Sequence, residues 1–82
     1  MSIVLMTTKS LLKALGEEVR SRRSELQMSQ EALAHGSGLH RNVIGRLERG
    51  TYNPSVLTLL SIAVKLNVSL SGLIASAEKR SR

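Results

Sequence analysis

Apolar residues recur along this 82-residue chain at helical spacing. Leu12, Leu15, Val19 and Leu26 share one helical face, with Glu17, Glu18, Arg20, Arg22 and Glu25 mostly on the others. Ser10 can cap that helix, which is predicted from there to about Gln27. Ser29 can offer its hydroxyl to the orphan amides of the next turn and so start a second helix, with Leu33 and Ala34 facing inward. Gly36 and Gly38 are expected to stop it, and Gly38 can take the positive φ that a sharp turn needs. A third helix is predicted over about His40–Arg49, with Ile44 and Leu47 on its buried side and Gly50 at its end. After the loop Thr51-Tyr52-Asn53-Pro54, Ser55 caps a fourth helix, Val56–Leu66. Asn67-Val68-Ser69 breaks the chain, and a fifth helix runs from Leu70 to about Glu78.

The pattern therefore predicts one all-α domain over residues 10–78, an N-terminal arm over 1–9 and a frayed basic tail over 79–82. For the arm segment Ser2–Met6, disorder, a packing extension of the first helix and a strand paired with a second copy all stay open. The fourth helix is apolar nearly all the way round, and from Thr51 to Ser76 only Lys65 is charged. Such a helix needs cover on more than one side. The core supplies one cover and a second subunit is expected to supply the other. Leu59, Leu70, Leu73 and Ile74 are the expected interface residues of a homodimer built on helices four and five.

Composition narrows the chemistry. There is no cysteine, and one Tyr with no Phe or Trp, so the core is aliphatic and unsupported by disulfides or thiolate metal sites. The scarcity of aromatics also argues against single-strand binding by base stacking. Twelve Lys and Arg against six acids give a net charge of +6, which suggests a polyanionic partner. Ser2–Met6 is too short for a secretory core. Val56–Ala75 contains Lys65, Asn67 and a break, so no membrane span is expected and the chain is expected in the cytoplasm. His35 and His40 have no cysteine or acid at metal spacing, so no metal is expected. No nucleophile–base pair, paired carboxylates or phosphate-cradling glycine loop is evident, so neither an enzyme nor a cofactor is expected.

Helices two and three, joined by a tight turn, carry the sharpest signal. A small residue at the helix crossing (Ala34), a glycine four positions on (Gly38) and aliphatic anchors in the second helix (Ile44, Leu47) are what a helix-turn-helix requires. Here the sequence resembles the Cro/phage-repressor (Xre-like) helix-turn-helix family over roughly residues 14–75. The resemblance rests on Leu15-Gly16 with Val19-Arg20 and Arg23, on Met28-Ser29-Gln30-Glu31 with Leu33-Ala34, and on Gly38-Leu39-His40-Arg41. It extends through Leu47-Glu48-Arg49-Gly50, Asn53-Pro54, Val68-Ser69 and Leu73-Ile74. It implies a compact five-helix lambda-repressor-like fold whose third helix enters the DNA major groove.

Carried over residue by residue, the resemblance makes Arg41, Asn42 and Arg46 the base readers, since arginine forks onto guanine and asparagine matches adenine. Gln30, Arg49 and the backbone around Tyr52-Asn53 fall where the family grips phosphates, Ser29 either joins them or serves only as a cap, and His40 is a candidate to touch a phosphate or a base. Arg23 and Glu48 fall where it has a structural ion pair. Two positions depart from the pattern. Gly45 replaces a commoner polar residue inside the third helix, either for close approach to the groove or as a tolerated cost. His40 stands where Ser or Thr is usual, and an imidazole is a weaker cap.

The implied function is a sequence-specific transcriptional regulator binding a pseudo-palindromic operator as a homodimer, closest in look to restriction–modification controller proteins. A phage or mobile-element repressor, an antitoxin and a protein-interaction module are the alternatives. The implied partners are double-stranded DNA and a second copy, with RNA polymerase open as a third and no small-molecule ligand.

Overall fold

A computed structural model describes residues 7–81. They form five helices, α1 (Thr8–Glu25), α2 (Gln30–Ser37), α3 (Arg41–Glu48), α4 (Val56–Lys65) and α5 (Leu70–Ser81), with no strand among the described residues. The readings made for Ser2–Met6 lie outside them.

Local chemistry sets the ends of these helices. Thr7, not Ser10, caps α1. The Thr7 hydroxyl accepts from the Ser10 amide at 3.0 Å while the Ser10 hydroxyl accepts from the Thr7 amide at 3.2 Å, a reciprocal capping box with Ser in place of the usual Glu. Leu26 follows the last turn of α1 as its C-cap and is 48% exposed, so it does not continue the buried stripe. Ser29 caps α2 by accepting from the Ala32 amide at 2.9 Å. The helix passes through Gly36, which a helix interior tolerates at a cost of about 1 kcal/mol, and ends at Gly38 with φ +70°. That left-handed turn lets the Leu39 amide donate to the Ala34 carbonyl at 2.8 Å. Ser55 caps α4 through the Thr58 amide, and Asn67, with φ +59°, turns the chain into α5.

The core is aliphatic and draws on every helix: Leu15 and Val19 from α1, Leu33 and Ala34 from α2, Ile44 and Leu47 from α3, Leu59, Ile62 and Ala63 from α4, and Leu73 and Ala77 from α5. At Gly16, α1 crosses α3 so closely that an added Cβ would collide with the carbonyl oxygens of Leu47 and Glu48. Burial alters the expected interface. Leu59 is 8% and Leu73 0% exposed within this single chain, so both are spent on its own core, and Leu70 and Ile74 pack partly buried against it. Among the described residues, the exposed large apolar side chains apart from Leu26 lie on another face of α4, made of Val56, Leu57, Leu60 and Val64, with Leu57 74% exposed.

The basic tail is ordered where it is described. Helix α5 runs on to Ser81, whose hydroxyl lies 3.1 Å from that of Ser10. One residue earlier Arg80 Nε donates to Glu18 Oε1 at 2.7 Å, and Arg22 Nε donates to Glu18 Oε2 at 2.6 Å. Arg22 also reaches the Ser76 hydroxyl, closing a polar clamp between α1 and α5. Burial pushes the Glu18 carboxyl upward, but the hydrogen bonds and charges of Arg80 and Arg22 outweigh it and hold the group below the ordinary carboxylate range. Helices α4 and α5 meet at 99°, and no single described helix is long and apolar enough to cross a membrane.

Candidate nucleic-acid interface

Helix α3 is amphipathic in the sense the interface needs. Ile44, Gly45, Leu47 and Glu48 are buried, whereas Arg41, Asn42, Arg46 and, at its C-cap, Arg49 are exposed. His40 caps it, its Nδ1 accepting from the Asn42 amide at 3.1 Å. An imidazole thus replaces the usual hydroxyl, with its ring proton on Nε2. This cap starts the helix at Arg41 and sets Arg41 and Asn42 in its first turn.

Gln30, Arg41, Asn42, Gly45, Arg46 and Arg49 line one groove between the start of α2 and α3. Ser29, Gln30, Glu31 and Arg41 line a hollow beside it. The expected base readers and three of the expected phosphate contacts are therefore brought onto one surface. His40 opens instead onto a neighbouring hollow with Glu31, His35 and Leu39, also bordered by Arg41 and Asn42. Asn53 is exposed in the loop after α3 and lines none of these hollows.

The buried side of the groove is held by a second polar cluster. Arg23 Nε donates to Glu48 Oε2 at 2.6 Å and Arg23 Nη2 to Glu48 Oε1 at 3.1 Å, the ion pair read from the sequence. Arg23 Nη1 donates to the Met28 carbonyl at 2.7 Å, and Gln30 Nε2 donates to Glu48 Oε1 at 3.0 Å. Glu48 thereby ties α3 to α1 and to the first residue of α2. Gln30 braces α3 with one amide hydrogen and keeps its carbonyl and second hydrogen for other partners. Ser29 accepts as the cap of α2 and keeps its own hydroxyl hydrogen to donate.

The electrostatics are one-sided. The ion pairs among the described residues use Arg22, Arg23 and Arg80 with Glu18 and Glu48, so none neutralises Arg41, Arg46 or Arg49. A contact that pattern reading missed is the Arg46 guanidinium over the Tyr52 ring, 5.4 Å from its centroid. The available signal was the single aromatic residue of the chain, six positions beyond an arginine of the third helix.

Comparison with known proteins agrees with this geometry. A helix-turn-helix family model matches residues 19–73. The chain is 47% identical over 60 residues to control protein C.SmaI of Serratia marcescens, covering 73% of this chain and 71% of that one. It is 38% identical over 68 residues to control protein C.BamHI of Bacillus amyloliquefaciens, covering 82% and 84%. The crystal structure of the restriction–modification controller protein C.AhdI from Aeromonas hydrophila superposes with a TM-score of 0.74 at 37% identity, over 76% of this chain and 94% of that one. With its buried anchors, its left-handed Gly38 turn and its exposed arginine face, the chain belongs to the Xre-like helix-turn-helix family of DNA-binding transcription regulators.

Proposed function

We propose that the protein acts in the cytoplasm as a homodimeric controller-type regulator that reads a two-fold symmetric operator. The observation that carries this reading is the outer face of α3, where Arg41, Asn42 and Arg46 stand exposed, without an ion-pair partner among the described residues, on a helix pinned from behind by Ile44, Leu47 and Glu48. Arg41 and Arg46 supply planar donor pairs for guanine O6 and N7, and Asn42 the donor–acceptor pair for adenine. Arg49, Ser29, Gln30, His40 and the loop at Asn53 are assigned to the sugar-phosphate backbone, where contacts add affinity without sequence information.

The α4 face of Val56, Leu57, Leu60 and Val64 is the proposed dimer surface, because it gathers four of the five exposed large hydrophobics among the described residues. Two copies joined there would present two α3 helices about 34 Å apart and half-sites centred roughly 10 base pairs apart. With dimerisation coupled to operator occupancy, the response is to the protein's own concentration. RNA polymerase is a further partner where the operator adjoins a promoter.

Selection of the full chain on a random duplex pool, with excess competitor at near-physiological salt, tests the reading. Enrichment of a two-fold symmetric site is expected. Retention without any motif would overturn sequence reading and favour an interaction module or antitoxin. In the same assay Arg49→Ala should weaken all duplexes alike and flatten the salt slope by about one unit.

A further inference from the structure

We infer that Tyr52 is a positioning residue for base reading. Its ring is the platform that sets the plane of the Arg46 guanidinium, and it is not a phosphate contact. The inference rests on the proposal above that Arg46 reads a base, and it deepens that proposal by naming what makes Arg46 discriminate.

Three observations converge. Tyr52 is the sole aromatic residue in the chain, and it lies directly after α3 with the Arg46 guanidinium 5.4 Å from its ring centroid, inside the range of a cation–π contact. The ring is half-buried and packs against the aliphatic core, so the platform is itself fixed. The preceding residue, Thr51, donates twice to the Arg46 carbonyl, from its amide at 3.0 Å and its hydroxyl at 3.1 Å. One short loop thus holds Arg46 at both its backbone and its side-chain end.

The chemistry follows from the shape of a guanidinium. A guanidinium that lays its flat face on a ring keeps the N–H donors of its edge free, and these are the groups that guanine O6 and N7 require as a coplanar pair. Arg46 makes no ion pair among the described residues that could orient it instead. An unstacked arginine on an exposed helix samples many rotamers and can settle on phosphates, which are the same at every base pair. The ring face thereby turns a general cation into a reader. The tyrosine hydroxyl has no part in this, so phenylalanine should serve equally well.

The test uses the full chain, the duplex recovered by selection, and the same duplex with single G·C pairs changed to A·T. Tyr52→Leu is expected to lose about two- to fivefold of the preference for guanine at one position in each half-site. Its affinity for random duplex and its salt slope should stay unchanged. Tyr52→Phe should keep the preference. Arg46→Ala should abolish it, and adding Tyr52→Leu in that background should change nothing more. If Arg46→Ala loses the preference while Tyr52→Leu keeps it, the platform is refuted and the base-reading assignment stands. If Arg46→Ala keeps the preference, or selection yields no motif, the base-reading assignment fails and takes the platform with it. Equal weakening on every duplex in both Tyr52 variants would make the hydroxyl a phosphate contact and overturn the inference. Should Tyr52→Leu not fold, NMR of the unmodified chain decides. The Arg46 Hδ protons are expected upfield by ring current, in Tyr52→Phe as well, and ordinary shifts would sink the proposal.

Discussion

Arg23 of α1 and Glu48 of α3 meet through two parallel N–H···O bonds of 2.6 and 3.1 Å, with the carboxylate side chain only 4% exposed. The pair sits behind the exposed face of α3 and shares its carboxylate with Gln30. A buried pair of this kind contributes little relative to apolar residues of the same shape, but leaving one member alone is costly. Arg23→Ala or Glu48→Ala should therefore lower unfolding stability by about 3 kcal/mol in urea titration, and Arg23→Met with Glu48→Leu should recover much of that. A loss below about 1 kcal/mol, the range of exposed pairs, would mean that α3 is anchored by its apolar residues alone.

Two glycines that look alike in the sequence should respond in opposite directions to alanine. At Gly16 the new Cβ meets backbone carbonyls of Leu47 and Glu48, which cannot move without parting α1 from α3. At Gly45 the nearest atom is Arg49 Nη1 at 3.3 Å, the far end of a flexible side chain. Gly16→Ala is expected to destabilise by about 3 kcal/mol or more, as overpacking and backbone displacement do. Gly45→Ala should stabilise α3 by up to about 1 kcal/mol through helix propensity. Thermal melts of the two variants check the order, and a destabilised Gly45→Ala would show that its packing against Arg49 outweighs the helical gain.

The Glu18 clamp makes the docking of α5 depend on pH in a definite direction. The folded carboxyl titrates below its unfolded counterpart, so the unfolded chain binds the proton more readily. The stabilisation is complete above the unfolded carboxylate range and is lost as pH falls through the depressed folded value. Glu18→Gln should be less stable than the parent near neutrality, and its melting temperature should converge with the parent's in acid. Parallel curves across the acid range would show that Glu18 is not the titrating group.

Signals confined to a few neighbouring residues were legible in the sequence, and those joining distant segments were not. Ser29, Gly38, Ser55 and Asn67 mark helix ends through their own backbone and side-chain chemistry, and all four do so in the structure. The Thr7–Ser10 box escaped because its third-position partner is a serine, not the usual Glu or Gln. The tail was read as frayed because Arg80 finds Glu18 sixty-two positions away. Helix α4 misled for a different reason. A helix apolar nearly all round carries little phase in its sequence, and the packing of α2 and α5 against it decides that Leu59 faces in while Leu57 and Leu60 face out. On α3, the exposed arginines followed from its anchors, whereas the contact of the Arg46 guanidinium with the Tyr52 ring needed the path of the loop.

That phase decides how the dimer should be tested. Leu57 is 74% and Val64 70% exposed, so a charge at either position meets water in a single chain and does not disturb its core. Leu57→Glu with Val64→Glu should keep the helical circular dichroism and sediment as a monomer. Operator affinity should fall by about tenfold or more, because the two half-sites are no longer linked. Leu73→Glu buries a carboxylate at a position with no exposure and no partner, so it should unfold the chain and not merely separate two copies. Sedimentation equilibrium distinguishes the cases. A folded Leu57/Val64 variant that still sediments as a dimer would move the interface off this face of α4, and a folded monomeric Leu73→Glu would return it to α5.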